Sequence, residues 1–127
     1  MAPAAEAPVD MERLRAVTDG TPEDLRELIL MYLDQTGQQV PQIEAAVKAN
    51  QPEQVRRLAH SCVGASATCG MYRLTPLLGE LEGQGAEGKL EGAAEICQAM
   101  IAEFECIRRF LEACLAAQSG LATEPVS

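Results

Sequence analysis

Val55-Arg56-Arg57-Leu58-Ala59-His60-Ser61-Cys62-Val63-Gly64-Ala65-Ser66-Ala67-Thr68-Cys69-Gly70 contains the chain's single histidine and reads as one amphipathic helix. At about 100° per residue, Val55, Leu58, Ala59, Cys62, Ser66 and Cys69 gather on one face. His60 falls about opposite, among Glu53, Arg56, Arg57, Gly64 and Ala67. One side of this helix is built to be buried and the other to be wet. The imidazole is on the wet side, where a bulky partner can reach it. Gly70 follows as a C′ residue, because glycine takes the left-handed conformation at little cost.

The same pattern extends in both directions. Downstream, Leu74, Leu77, Leu78 and Leu81 form the stripe of a further helix. Pro76 places the start of its regular part near Thr75, or a kink there. Gly83-Gln84-Gly85-Ala86-Glu87-Gly88 reads as a flexible loop. Leu90, Ala93, Cys97, Ile101, Phe104, Leu111 and Leu115 then mark one face of a long final helix. Upstream of the histidine, Asn50-Gln51-Pro52 is a short turn. Before it, Thr21 is an N-cap, Pro22 the first helical residue, and Glu23 and Asp24 the acidic first turn. Leu25, Leu28, Ile29, Tyr32, Val40, Ile43 and Val47 keep one phase, with Thr36 filling the gap. Gly37 and Pro41 leave open one long bent helix or two nearly collinear ones. A short amphipathic segment, Met11 to Val17, comes first, ahead of the turn Thr18-Asp19-Gly20.

Four main elements with one apolar stripe each, joined by short connections, predict an all-α fold. The expected architecture is an antiparallel up-down four-helix bundle with a short extra N-terminal helix. The 127 residues suffice for one domain. Residues 1–9 read as a disordered leader, 10–117 as the bundle and 118–127 as a disordered tail. Aromatic content is 3% with no Trp, so aliphatic side chains, Met and Cys must fill the core.

A net charge of −9 argues against nucleic acid and against an anionic membrane surface. No apolar run has transmembrane length, and the first residues are no secretory signal. Five cysteines without a C-x-x-C pair, beside one histidine, give neither a disulfide framework nor a metal site. Cys62, Cys69, Cys97 and Cys114 fall on or near apolar stripes, and Cys106 on an outer face as an accessible thiol. A reduced, cytoplasmic setting follows. The default assembly is a monomer.

A lone histidine on a polar helix face is ordinarily just solvated. Three neighbours argue for more. Gly64, one turn on, costs about 1 kcal/mol relative to Ala in a helix interior, and close approach of another surface gives it a reason. Ala67 extends the same shallow strip. Arg56 and Arg57 bring positive charge beside the ring in an otherwise acidic chain, which suits a group that gains negative charge. No side chain stands out as a general base or orienter for the imidazole, and no Gly-rich nucleotide motif or hydrolase constellation is present.

The stretch Leu58 to Ser66, followed by Cys69-Gly70, resembles the histidine-containing phosphotransfer (HPt) domain. The likeness extends upstream through Leu25 to Leu33 and downstream through Leu74 to Glu82. It covers about residues 10 to 116. The resemblance implies a phosphorelay intermediate. His60 would take a phosphoryl group through Nε2 from a receiver-domain aspartate and pass it to another. Gly64 would be the clearance position, with Arg56, Arg57, Val63 and Ala67 completing the phosphoryl-stabilising and receiver-docking surface. Free imidazole titrates at about 6.5, so a neutral, nucleophilic ring is available near pH 7. Response-regulator receiver domains are the implied partners, with a hybrid histidine kinase as a further one. No cofactor is implied for the chain itself, since Mg²⁺ would belong to the receiver.

The chain departs from the family at Val63, where a lysine usually stands. Arg56 or Arg57 would have to supply the missing charge. Glu82 falls at about the position where family members place a polar side chain near the histidine, and a carboxylate there is expected to repel a phosphoryl group. The alternative is an HPt-like adaptor that docks receivers and transfers little.

Overall fold

The computed structural model describes residues 7–123, with side chains through residue 118. Its helices are α1 (Met11–Ala16), α2 (Pro22–Lys48), α3 (Pro52–Thr68), α4 (Leu74–Glu87) and α5 (Ala93–Thr123). No strand occurs among the described residues. α2 packs on α3 and α5, and α4 packs on the same two, closing a ring of four helices. The expected bundle is what the chain forms.

Local chemistry accounts for the helix ends. Thr21 caps α2, its hydroxyl accepting from the Asp24 N–H at 3.1 Å. Pro22 follows at the first helical position, where its missing N–H costs nothing. α2 is one helix of 27 residues, so the two collinear helices do not occur. Pro41 sits inside it and leaves the Gly37 carbonyl without its usual donor. Gly37 faces the Phe104 ring of α5, where an added Cβ would lie 3.9 Å from the ring. α4 starts at Leu74, so Pro76 falls in its first turn and neither delays nor breaks it.

The core is aliphatic, as the composition requires. Ile29 and Ile43 of α2, Val55 and Ala59 of α3, Leu78 and Leu81 of α4, and Ile107 and Leu111 of α5 are all but sealed from solvent. α1 completes one end, with Leu14 wholly buried. That end is tied to the α3–α4 turn. The Asp10 N–H donates to the Gly70 carbonyl at 2.8 Å, and Arg13 Nε donates to the Thr68 carbonyl at 3.4 Å. Gly70 has φ of +84°, and a Cβ there would stand 2.6 Å from the Asp10 carbonyl oxygen. Glycine is required at this turn by both conformation and space.

Three boundaries differ from the sequence reading. The glycines at 83 and 85 are helical, because α4 runs on to Glu87 and only Gly88 to Gly92 connect it to α5. Gly85 is a close-approach position, where a Cβ would lie 2.6 Å from the Pro52 carbonyl oxygen and 2.7 Å from the Arg56 nitrogen. Leu90 consequently precedes α5 and packs on the core from the connection. The tail expected from Gln118 continues as helix through Thr123, as the alanine-rich run before it favours. The end of the expected leader is also ordered. Val9 is buried, and the Ala7 carbonyl accepts from the Tyr72 hydroxyl at 2.5 Å. The rest of the leader (residues 1–6) and of the tail (124–127) lies outside the described residues.

No helix among the described residues is long and apolar enough to cross a membrane. The five cysteines are all free. Cys62, Cys69 and Cys97 are buried, Cys114 is half-buried and Cys106 is exposed. Burial pushes the Cys62 thiol up to about 11, so it behaves as a small apolar group with a weak donor.

Candidate functional site

His60 stands in the middle of α3 with 72% of its side chain exposed. It is not alone. Its Nδ1 lies 2.7 Å from Glu82 Oε2 on α4. A carboxylate can only accept, so the Nδ1–H of the ring donates and Glu82 holds it. In the neutral ring this leaves the lone pair on Nε2, directed away from Glu82. Glu82 is itself positioned by the helix contact at Gly85, which lets α4 approach the start of α3 backbone to backbone.

The two arginines are bound differently. Arg56 donates to the Glu53 carboxylate through Nε at 3.1 Å and Nη2 at 2.5 Å. That pair holds the Glu53 carboxyl below its usual range and lifts Arg56, on which Glu82 acts as a second, more distant anion. Arg57 donates to the neutral Gln54 amide oxygen at 2.5 Å.

Gly64 is exposed, and a Cβ placed on it would meet nothing within 4 Å. Nothing inside this chain demands glycine there. Ala67 is exposed further along the strip, at the rim of an open cavity of about 340 Å³ shared with Arg13, Met71 and Tyr72. Val63 is half-buried and packs on the core. The structure thus brings His60, Gly64 and Ala67 onto one open strip, with Arg56 and Arg57 on either flank and Val63 turned partly inward.

The flank toward α2 is polar and uncharged. Gln39 donates through Nε2 to Ser61 Oγ at 3.1 Å and accepts at Oε1 from Cys62 Sγ at 2.9 Å. With Gln35, Gln38 and Gln42 it lines a shallow cavity of about 290 Å³ beside Ser61. Behind the strip, the Tyr32 hydroxyl and Ser66 Oγ lie 2.8 Å apart in the interior. Burial drives the Tyr32 phenol well above its ordinary range.

The absence of an orienter for the imidazole, expected from sequence, is corrected by Glu82. The signal was present but weak. Glu82 lies beside Leu81 and four residues from Leu78, on the margin of the α4 stripe, where a side chain can reach a neighbouring helix without leaving water. The Gln39 contacts had no sequence signal, because they depend on how α2 and α3 meet.

A family model described as the Hpt domain matches residues 27–118. The chain belongs to the Hpt domain family. Among solved structures, this Hpt domain is similar to histidine-containing phosphotransfer protein B (HptB) from Pseudomonas aeruginosa PAO1, with a TM-score of 0.78. Identity is 23%, over 84% of this chain and 92% of that one, and the likeness is one of fold. Comparison with curated proteins finds no match. Hpt domains are phosphocarriers, and this one is a histidine phosphotransfer component of a two-component phosphorelay.

Proposed function

We propose that His60 is the phosphoryl acceptor of this Hpt domain. The observation that carries this reading is the exposed imidazole whose Nδ1 is held by Glu82 at 2.7 Å, with open space above Gly64 beside it. In the accepting step the Nε2 lone pair attacks the phosphorus of a receiver's aspartyl phosphate. The P–N bond forms as the P–O bond breaks, and that electron pair returns to the aspartate carboxylate. The ring gains positive charge, its Nδ1 proton stays in place, and the Glu82 carboxylate lies where that charge develops. The reverse sequence hands the group to a second receiver. Binding in the right orientation supplies most of the acceleration, and the receiver keeps its own Mg²⁺. Receiver domains, including that of a hybrid histidine kinase, are the partners we infer. We place the protein in the cytoplasm, working as a monomer, since each helix buries its apolar stripe within one chain.

A receiver domain charged by a small-molecule phosphodonor tests this reading. Incubation should leave acid-labile, base-stable label on the wild-type chain and none on His60→Gln. Label surviving on the variant would assign another acceptor, and no label on either would leave an adaptor that only docks.

The Glu82 contact makes a separate prediction. Glu82→Gln keeps a hydrogen-bond acceptor for Nδ1–H but removes the charge. Charge-assisted bonds are roughly twice as strong as neutral ones, so acceptance should slow by about tenfold with little change in melting temperature. A rate equal to wild type in stopped-time transfer assays would show that the carboxylate does not act on the ring.

A further inference from the structure

Resting on the reading of His60 as acceptor, we infer that Arg57, and not Arg56, is the cation that meets the phosphoryl group on Nε2. The two arginines sit on opposite flanks of the histidine. Around the α3 axis, Arg57 is about 60° from His60 on one side and Arg56 about 40° on the other. The contacts identify each side. Ser61, turned the same way as Arg57, is bonded by Gln39 of α2. Arg56, turned the other way, feels the charge of Glu82 of α4.

The ring follows the same division. Nδ1 is taken from the α4 side by Glu82 at 2.7 Å, so Nε2 is directed away from α4. A phosphoryl group on Nε2 is therefore carried away from the Glu82 carboxylate and toward Arg57. This arrangement separates the two charges that must not meet. The carboxylate serves the ring proton, and the opposite flank receives the dianion.

Availability separates the arginines further. Arg56 makes a two-point pair with the Glu53 carboxylate. A phosphoryl group would have to compete with that anion for it. Arg57 is hydrogen-bonded to a neutral amide oxygen, with the Glu53 carboxylate acting on it from a distance and not as a bonded partner. It is exposed and can exchange that bond for one to a phosphoryl oxygen. Residues three apart on a helix are neighbours, so its guanidinium reaches the group without distortion. The bay beside it is lined by glutamine side chains and Ser61. The nearby carboxylate of Asp34 accepts from Gln38 at 3.1 Å. Val63, half-buried and apolar, offers no charge from the α4 side. Arg57 supplies what that position lacks, from the opposite flank.

The experiment uses the full chain and two donors, a phosphorylated receiver domain and phosphoramidate. Arg57→Ala should slow labelling of His60 by roughly tenfold or more with both donors. Arg57→Lys should recover most of that loss, and Arg56→Ala should slow labelling less than about threefold, as for an exposed pair. The ³¹P resonance of the phosphohistidine should move in Arg57→Ala and hold in Arg56→Ala. Equal losses in the two alanine variants would overturn the assignment, as would wild-type rates in Arg57→Ala. A loss in Arg57→Ala seen with the receiver but not with phosphoramidate would also overturn it, making Arg57 a docking residue. These outcomes all require label on wild-type His60. Its absence, or label on His60→Gln, is instead the failure of the acceptor reading itself.

Discussion

Gly64→Leu should reduce phosphoryl exchange with receiver domains by at least about 100-fold while leaving the helix intact or more stable. A Cβ at this position meets nothing within 4 Å, so the bundle tolerates a side chain there without repacking. Leucine is a strong helix former, and replacing glycine within a helix gains about 0.5–1 kcal/mol. The cost falls on the partner. Gly64 is one turn from His60 on the same exposed strip, and with His60 as the acceptor we propose, an isobutyl group there would occupy the space a receiver needs to bring its aspartate onto Nε2. Displacing the reacting atoms by about 1 Å costs on the order of 100-fold. Phosphoramidate, which needs no docked protein, should label the variant at nearly the wild-type rate. Wild-type exchange with a receiver would show that partners do not approach over Gly64.

Gly85→Val should destabilise the bundle by about 2–3 kcal/mol and lower its melting temperature by on the order of 10 °C. The built Cβ lies 2.6 Å from the Pro52 carbonyl oxygen and 2.7 Å from the Arg56 nitrogen, both backbone atoms of α3. Neither can rotate away as a side chain end would. The two helices must separate, and α4 carries Glu82 with it. The variant should therefore lose phosphoryl acceptance beyond what Glu82→Gln loses. Gly83→Ala is the control on the same helix, because a Cβ there meets nothing within 4 Å. A urea titration in which Gly85→Val and Gly83→Ala have the same midpoint would refute the close-approach account.

Gly64 and Gly85 also mark how far the sequence could be read. The apolar stripes placed the helices because burial of one face is periodic and local. Gly64 could be singled out as an interior helical glycine without a reason of its own. Gly85 carries the same letter but reads as loop, since its reason is the backbone of another helix, at Pro52 and Arg56, which only folding brings near. His60 was legible because exposure follows from the wheel. Its partner Glu82 was legible only through the family resemblance, and as a repelling charge; its bond to Nδ1 was not, because that pairing depends on how far α4 slides along α3. Arg56 and Arg57 were legible as a pair of neighbouring cations, yet their division needed Glu53, Gln54 and Glu82 in place.

The Tyr32–Ser66 pair has an optical consequence. The chain has no Trp and two tyrosines. Tyr32 is enclosed between α2 and α3, its ring centroid 6.5 Å from that of Phe104. Tyr72 is half exposed on the cavity that borders Ala67. The near-ultraviolet signal of this molecule is thus divided between one chromophore inside the seam behind the histidine and one at the rim of the strip. Loosening of the interior dims the first, and a partner that covers the rim alters the second.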